Sequence, residues 1–325
     1  MFYFEDGLRI PALDLSIDVS RRQARGFVSH GHFDHFAAHE LAICSPLTAR
    51  FYRRRLGGER WVRELPYGVP YVWDEFQLTT YPAGHILGSA MLHVQGPEGS
   101  LLYTGDFRLR PSATAEPAAP PHADWLVMEC TFGDPQYRLP PRAQVVEQLI
   151  GTLRQCFAAR LVPVIYAYAL GKAQEVTRLL RDAELRVVQH ASLFDLSQEY
   201  VAAGCDLGRF ERFDEQSDLR DAVLIMPPPG RRSVGPPPPR DCVKIAVTGW
   251  ALDPRYKFKA GVDYAFPLSD HADFDELLEC VERVAPRQVY CWHGQPTFVD
   301  HLRARGWKAY WLPSVRRPRA NDGRA

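Results

Sequence analysis

The chain has 325 residues, which is enough for one large domain or about two smaller ones. Its 39 Lys and Arg residues balance its 39 Asp and Glu residues. Binding to nucleic acid by bulk positive charge alone is therefore excluded, although a local basic groove is not. The seven Cys residues form no CxxC motif, so we expect neither a disulfide framework nor a Cys-based zinc site. We therefore also expect a cytoplasmic location. We find no signal-peptide pattern and no run of about 18 apolar residues, so we expect no membrane association.

Short runs of Val, Ile, Leu, Tyr and Phe, bounded by Gly, Pro or Asp, predict β-strands in the first half of the chain. The predicted strands are 26–30, 41–45, 76–83, 90–95, 100–107 and 124–130. Helical periodicity predicts helices at 46–57 and 141–159. The stretch 111–124 is rich in Pro and Ala and predicts a loop, because proline lacks a backbone donor.

The second half alternates predicted strands with predicted helices. The strands are 161–169, 185–190, 222–227, 242–250, 287–293 and 308–313, and the helices are 171–183, 192–204, 273–285 and 296–306. This alternation is typical of βαβ units on a parallel sheet, so we expect an α/β protein with two different sheet systems. The Pro-rich segment 227–240 predicts an exposed loop, and the tail after Ser314 is expected to fray.

A cluster of His and Asp residues follows the strand-like segment GFV in the sequence SHGHFDHF. Imidazole and carboxylate groups are the ligands with which proteins bind Zn²⁺ without cysteine. A single His at a strand end is usually structural, so the joint pattern carries the prediction of a metal site. Further polar residues follow later predicted strands. The complete set is His30, His32, Asp34, His35, His85, Asp106, Glu129, His271 and His293.

These motifs resemble the metallo-β-lactamase superfamily, and specifically its β-CASP nuclease branch, from residue 4 to about residue 313. SHGHFDH, PAGHILGSAM and YTGDFR are similar to the two early histidine motifs and the bridging aspartate motif of the superfamily. LVMECTFGDPQYRLPPRAQVVEQL resembles a segment of the DNA cross-link-repair nucleases of the Artemis and Apollo kind, and AYALGKAQEV, LSDHADFDEL and CWHGQP resemble β-CASP elements. LPYG, YALGKAQ, TGWAL and LSDHADF are similar to a compact bacterial group, the DNA-ligase-associated exonucleases.

The resemblance implies a fold and a division into domains. The fold would be an α/β metallo-β-lactamase αββα sandwich with an inserted α/β β-CASP cap domain. The sandwich would be discontinuous and consist of residues 1–155 and 265–325, and the cap would consist of residues 156–264.

The resemblance also implies the metal ligands. Two Zn²⁺ ions, or Mn²⁺ in their place, would be bound by two groups of side chains that share a bridging carboxylate from Asp106. The ligands of the first ion would be His30, His32 and His85, and those of the second would be Asp34, His35 and His293.

Hydrolysis of a phosphodiester needs an activated water, neutralisation of charge at phosphorus and a proton for the leaving oxygen. The motifs favour Asp34 as a residue that orients the water and His271 as the general acid. Glu129 is its expected partner, because a carboxylate would keep the imidazole protonated and oriented. The match to the family pattern supports this pairing.

Residues that contact the substrate are expected outside the metal ligands. Gly171 and Lys172 begin a predicted helix after a strand, where free N–H groups and a lysine attract phosphate. Arg255, Lys257 and Tyr137 are expected to contact nucleic acid, because basic and aromatic side chains together neutralise phosphates and stack on bases.

Four functions remain open. The first is a DNA nuclease, a 5′-to-3′ exonuclease in repair beside a DNA ligase and a helicase, and the second is an RNA-processing endo- or exoribonuclease. A small-molecule hydrolase and an inactive scaffold are disfavoured by the predicted cap and by the complete ligand set. The acidic Asp273 near His271 is expected to repel a terminal phosphate, which is typical of endonucleases, and His293 matches RNA-type members. No appended RNA-binding module is recognised, which favours DNA.

Overall fold

The computed structural model describes residues 1–5, 7–229 and 236–312. The first sheet has six strands in sequence order, antiparallel from the first to the third strand and parallel from the third to the sixth. Its strands are β1 (Tyr3–Phe4), β2 (Leu8–Ile10), β3 (Leu15–Ile17), β4 (Arg25–Phe27), β5 (Leu41–Cys44) and β6 (Val62–Glu64). Helix α1 (Pro46–Leu56) follows β5 and is capped by Ser45, whose hydroxyl accepts a hydrogen bond from the backbone N–H of Thr48 at 3.1 Å.

The second sheet begins with five strands, of which the first four pair antiparallel and the last pairs parallel to its neighbour. They are β7 (Tyr71–Trp73), β8 (Phe76–Pro82), β9 (Ala90–Gly96), β10 (Gly99–Tyr103) and β11 (Trp125–Cys130). The chain then leaves this sheet through helix α2 (Arg142–Ala158).

A third sheet follows, and all its strand pairs are parallel, in the order β14-β13-β15-β12-β16-β17. The strands are β12 (Val162–Tyr166), β13 (Arg186–Gln189), β14 (Phe210–Arg212), β15 (Ala222–Met226), β16 (Cys242–Val247) and β17 (Tyr264–Phe266). Its helices are α3 (Lys172–Asp182), α4 (Ala191–Ala202) and the short α5 (Tyr256–Ala260).

The chain finally returns to the second sheet. Helix α6 (Phe274–Val284), strand β18 (Gln288–Gly294), helix α7 (Phe298–Arg303) and strand β19 (Ala309–Trp311) complete it. β18 pairs parallel with β11, and β19 pairs parallel with β18 at the edge. The sheet is therefore built from two segments that are separated in sequence by the third sheet.

The first two sheets pack face to face and form the expected αββα sandwich. Apolar side chains of β2–β5 and of β8–β11 form one buried core between the sheets. Helices α6 and α7 cover the outer face of the second sheet, and helix α1 covers the outer face of the first. Successive side chains of a strand point to opposite faces of its sheet, so alternate residues pack in the core between the sheets and in the core under the helices.

The third sheet has its own core, which includes buried side chains of α2, α3 and α4. Val145, Leu149 and Leu153 of α2 belong to this core. The expected division at 155/156 cuts through α2, and the one at 264/265 cuts through β17. A division before Arg142 and after Phe266 keeps both elements intact.

Every strand and helix that the sequence predicts has a counterpart, and the stretch 111–124 contains neither, as expected. The short elements β1–β3, β6, β7, β14, β17 and α5 were not predicted. Of the predicted loop 227–240, residues 230–235 lie outside the described residues, and the rest contains no helix or strand. The predicted frayed tail after Ser314 also lies outside them. No helix in the described ranges has the length and apolar character needed to cross a membrane.

Candidate active site

The SHGHFDHF segment leaves β4 and is anchored between the two sheets of the sandwich. The N–H of Val28 donates to the carbonyl of Ile43 at 2.9 Å, and the N–H of Ala90 donates to the carbonyl of Ser29 at 2.8 Å. A single 3₁₀ turn, Phe33–His35, then folds the segment back. The other candidate ligands come from the loops after β8 and β10 and from β18, so the two sheets together define the position of every ligand.

Three imidazoles and one carboxylate converge on one point. Nε2 of His30 lies 2.9 Å from Nδ1 of His32, and Nε2 of His85 lies 3.2 Å from the same atom. Oδ2 of Asp106 lies 3.5 Å from Nε2 of His30 and 3.8 Å from Nε2 of His85. These are the four residues that the sequence assigns to the first ion and to the bridge.

The outer nitrogens of these imidazoles fix which nitrogen is protonated. Nε2–H of His32 donates to the carbonyl of Leu170 at 3.0 Å, and Nδ1–H of His85 donates to the carbonyl of Asp270 at 2.9 Å. Because a carbonyl only accepts, the inner nitrogens of His32 and His85 carry lone pairs that face each other. Lone pairs cannot bond to each other, so this donor set fits a bound cation.

The protonation of the imidazoles also suits a cation. Burial lowers the pKa of His30 well below its usual value, and the neighbouring His35 and His32 lower it further. Burial and the charge of His85 lower the pKa of His32 to about 4. Both imidazoles are therefore neutral at pH 7 and available as ligands.

A second group of donors lies on the other side of Asp106. Nδ1–H of His35 donates to Oδ2 of the buried Asp18 at 2.9 Å. Nε2 of His35 then lies 3.3 Å from Oδ2 of Asp106 and 3.7 Å from Oδ2 of Asp34. Nε2 of His293 is buried and has no hydrogen-bond partner among the described residues. The His293 ring lies 5.3 Å from the ring of His35, measured between centroids, so an unpartnered buried nitrogen near His35 fits a second cation. Oδ2 of Asp106 lies near both His30 and His35.

His271 and Glu129 form a pair next to the first group of ligands. The His271 ring lies 4.6 Å from the ring of His85, measured between centroids. Burial alone would lower the pKa of His271, but the carboxylates of Glu129 and Asp106 raise it to about 10. The structure thus places a protonated imidazole at the edge of the candidate metal centre.

Contrary to the expectation from the sequence, Lys172 and Gly171 do not face the cleft. Lys172 is 1% exposed, and its Nζ donates a hydrogen bond to Oε2 of the buried Glu175 at 2.9 Å. The other oxygen of Glu175, Oε1, accepts a hydrogen bond from Arg108. The N–H of Gly171 donates to Oε1 of Gln174 at 2.7 Å, which occupies the helix N-terminus. Buried charges require partners, and this internal network supplies them. A direct phosphate contact by Lys172 or Gly171 is therefore not supported.

Asp273 also differs from the expectation. Its carboxylate is buried and caps α6, where it accepts hydrogen bonds from the N–H groups of Asp275 and Glu276 at 3.1 and 3.0 Å. The N–H of Leu139 donates to its second oxygen at 3.1 Å. The expected repulsion of a terminal phosphate by Asp273 is wrong, because its charge is used inside the fold.

The remaining candidate substrate residues lie on one side of the site. Tyr137 packs against Phe132 and Trp250, with ring centroids 5.2 and 5.5 Å away. Arg255 lies in a neighbouring depression with Tyr137 but is paired with a nearby carboxylate. Lys257 is on the exposed helix α5, so it does not line the metal-bearing cleft.

The cleft has a volume of about 550 Å³ and lies between the sandwich and the third-sheet unit. The sandwich contributes the candidate metal ligands and His271, and the third-sheet unit contributes residues that include Tyr168 and Trp250. Asp34, Asp106 and Asp270 line it as well, together with Arg55 and His271.

Two functional residues were not predicted from the sequence, Asp18 and Asp270. Asp18 follows β3 and accepts hydrogen bonds from His35, from the Ser29 hydroxyl at 2.5 Å and from the Tyr103 hydroxyl at 2.8 Å. The only signal for Asp18 is its place at the end of an apolar run, DLSID. Asp270 precedes His271, and its backbone carbonyl accepts from His85, a contact that no side-chain pattern in the sequence can indicate.

Comparisons with known proteins agree with this geometry. Residues 255–313 match the family model described as the Zn-dependent metallo-hydrolase RNA specificity domain. The chain is 41% identical over 310 residues to a protein named probable DNA ligase from Opitutus terrae, covering 94% of this chain and 30% of that protein. It is 30% identical over 306 residues to 5′ exonuclease Apollo of Gallus gallus, covering 87% of this chain and 63% of that protein.

The chain belongs to the metallo-β-lactamase/β-CASP nuclease family. It spans less than two thirds of the length of either relative. A solved protein of unknown function from Enterococcus faecalis V583 has the same fold, with a TM-score of 0.56, 16% identity and coverage of 83% of this chain and 75% of that one.

Proposed function

We propose that the protein is a dizinc nuclease that hydrolyses phosphodiester bonds of DNA, as a 5′-to-3′ exonuclease in DNA repair alongside a DNA ligase. The observation that carries this proposal is the set of inward-facing imidazole lone pairs around Asp106, beside the pair of His271 and Glu129. The family relationship supports the reaction class.

The third-sheet unit is, in this proposal, the β-CASP cap. It supplies one wall of the cleft, and the carbonyl of Leu170 in this unit orients His32. The cap would therefore both hold the substrate and keep a metal ligand in position.

The candidate ligands are assigned to two sets, as the family resemblance implies. His30, His32 and His85 would hold one ion together with Asp106, and the ligand atoms of these four residues lie within 4.8 Å of one another. Asp34, His35 and His293 would hold the other ion, with Asp106 as the bridge, and this set is supported by the distances from His35 to Asp106 and Asp34. Two divalent ions supply an activated water and neutralise charge at the phosphate.

The protein's own residues perform the proton transfers. The exposed carboxylate of Asp34, 3.7 Å from Nε2 of His35, would orient the attacking water. His271 is 23% exposed and points its free Nε2 away from Glu129, so it can donate a proton to the leaving oxygen. Glu129 remains buried and holds the imidazole through Nδ1.

The DNA assignment rests on the relatives, and the exonuclease assignment rests on a relative and on the position of Asp273. One relative carries a segment similar to nearly all of this chain in a longer protein named probable DNA ligase, which supports action beside a ligase. A second is named a 5′ exonuclease. Because Asp273 caps a helix, its charge does not oppose a terminal phosphate in the cleft.

A second candidate function is RNA processing by the same chemistry. The family model matched by residues 255–313 is described as an RNA specificity domain, and this segment includes His271 and His293. In that case RNA, rather than DNA, would enter the cleft.

The test uses matched single strands of DNA and RNA with a 5′-phosphate, incubated with protein that is loaded with Zn²⁺ or Mn²⁺. We expect release of a 5′-terminal label as a mononucleotide from DNA, whereas internal fragments would indicate endonucleolysis. Degradation of RNA alone would establish the second candidate. Absence of cleavage by protein with a full metal complement would exclude both.

A further inference from the structure

Two aromatic side chains in the cleft are exposed to solvent, although Phe33 also packs on one side against Phe36, with ring centroids 5.4 Å apart. Phe33 is 57% exposed and Tyr168 is 56% exposed. Of the large apolar side chains that are exposed in the described residues, only these two line the cleft. Single exposed hydrophobic residues are common, so the significant feature is that both face the candidate metal centre.

The ring of Phe33 packs against the guanidinium group of Arg55. It lies between His32 and Asp34, and Cζ of Arg55 lies 3.6 Å from the centroid of its ring. Nη1 of Arg55 donates to the carbonyl of Gly31, so the guanidinium is held against the same loop. One face of the Phe33 ring is thus covered, and the exposed part is the other face and the edge.

The guanidinium of Arg55 forms no close ion pair among the described residues. The other three arginines of α1, which are Arg50, Arg53 and Arg54, lie 3.0, 2.7 and 3.8 Å from carboxylates. Within the described ranges, no carboxylate lies within ion-pair distance of Arg55. A guanidinium without a carboxylate partner, in the lining of the cleft, is available for a phosphate.

Tyr168 approaches from the third-sheet unit. Its carbonyl accepts a hydrogen bond from the N–H of Ala173 at 3.0 Å, which stabilises the turn before α3. The same turn contains Leu170, whose carbonyl accepts a hydrogen bond from His32. Burial raises the pKa of Tyr168, and Asp34 raises it further. Burial lowers the pKa of Arg55 to about 10, and Asp34 opposes this change. Tyr168 and Arg55 therefore both lie within electrostatic range of Asp34.

We propose that Phe33 and Tyr168 form a stacking subsite for an unpaired nucleobase next to the scissile phosphate, and that Arg55 binds a neighbouring phosphate. This inference rests on the proposed nuclease function and specifies its substrate as single-stranded nucleic acid. Aromatic rings stack on any base, so the subsite is tolerant of sequence. A base in a duplex is already stacked and paired, so duplex ends must first fray.

The experiment pairs a protein change with a substrate change. Phe33→Leu and Tyr168→Leu remove a ring and keep an apolar side chain, and each substrate strand has one abasic position at varied distance from its 5′ end. We expect each variant to lose about 5- to 150-fold in kcat/KM on the normal strand. The loss should disappear when the abasic position occupies the subsite, because the strand then has no base to stack.

Binding provides a readout that does not depend on turnover. A strand that carries 2-aminopurine is titrated with zinc-loaded His271→Ala protein, with and without the Leu substitutions. We expect the fluorescence of the base to be quenched by stacking in the parent and restored in both Leu variants. Tyr168→Phe should retain quenching, because the ring remains.

The controls separate a local effect from misfolding. Trp61→Leu removes a 79% exposed aromatic outside the cleft and should change neither readout. Elemental analysis of Phe33→Leu shows whether its loop still holds the metal. An equal loss on normal and abasic strands, or unchanged quenching, would overturn the stacking subsite. If the metal-loaded parent cleaves no strand, the proposed function fails instead, and the fluorescence assay still tests the subsite.

Discussion

Nδ1 of His271 lies 3.0 Å from both carboxylate oxygens of Glu129. Glu129 is itself fixed by the N–H of Phe107, which donates to Oε1 at 2.8 Å, and by the hydroxyl of Thr131, which donates to Oε2 at 2.5 Å. The carboxylate therefore has one orientation, and it sets the direction in which Nε2 of His271 faces. Although burial lowers the pKa of His271, the charge of Glu129 raises it and so favours a proton on the imidazole.

The first prediction is that His271→Ala retains its metal and loses activity. Its imidazole is assigned as a proton donor, so we expect about two ions per chain by elemental analysis and a rate lower by about 10²- to 10⁴-fold. The loss should shrink on a nitrophenyl phosphodiester, whose leaving group departs without a proton. His122→Ala, at an exposed loop position, is the matched control and should retain both properties.

Loss of an ion from His271→Ala would mean that this residue is a ligand. An equal loss of rate on the activated substrate would mean that its role is structural.

The second prediction concerns Glu129→Gln, which keeps the shape of the side chain and removes its charge. Burial lowers the pKa of His271, and the charge of Glu129 is the largest influence that raises it. Without that charge the imidazole loses its proton at a lower pH. We expect the alkaline limb of the kcat–pH profile to move to lower pH, with a smaller loss of rate at neutral pH than for His271→Ala. An unchanged alkaline limb would show that another group is titrated there.

The third prediction concerns the two metal positions. His293→Ala removes the unpartnered buried nitrogen of the second group, so we expect about one ion per chain instead of two. Asp106→Asn weakens the shared carboxylate and should lower the content of both ions. Elemental analysis after dialysis measures both. Two tightly held ions in His293→Ala would remove His293 from the ligand set.

Metal binding at the second position should also depend on pH. Burial lowers the pKa of His35, but Asp106 and Asp18 raise it well above its usual value. A cation must displace this proton, so affinity at the second position should fall as the pH falls. Metal titrations between about pH 8 and pH 6 would show this dependence for the parent, and it should weaken in Asp18→Asn, which removes one of the carboxylates.

The sequence predicts the longer strands and helices because their apolar residues repeat with a clear period. It does not predict β1 or β14, which have two and three residues and exist only because a neighbouring strand pairs with them. A pattern needs several residues to be recognised, whereas pairing needs only a partner in space.

The candidate ligands could be predicted because their residue types and spacing are restrictive. The direction of Lys172 could not, because it depends on Arg108 and Glu175, which are 67 residues apart in sequence and meet only in the folded protein. The contribution of Asp270 is equally hidden, since its carbonyl contacts His85, 185 residues away. Long-range contacts thus decide whether a charged side chain faces the cleft or the interior.

The last prediction tests the buried network that contains Lys172. Glu175 is 2% exposed and accepts from Lys172 at 2.9 Å and from Arg108 at 3.1 Å, and Arg142 lies 2.8 Å away. Replacing it with Gln removes the anion that the buried Lys172 and Arg108 and the partly exposed Arg142 share, and leaves Lys172 only the more distant Asp270, at 3.8 Å. Breaking a buried pair in this way costs about 3–5 kcal/mol of the free energy of unfolding, which urea denaturation at pH 7 would measure.

The same carboxylate predicts how stability depends on pH. Burial raises the pKa of Glu175, but Lys172, Arg142 and Arg108 lower it to about 2, from 4.5 for a free side chain. A group whose pKa is lower in the folded state contributes stability above pH 4.5, and this contribution is lost as the pH falls towards 2. The difference in unfolding free energy between the parent and Glu175→Gln should therefore be largest at neutral pH and shrink across that window. A difference that stays constant from pH 7 to pH 3 would show that Glu175 stabilises the fold by packing rather than by its charge.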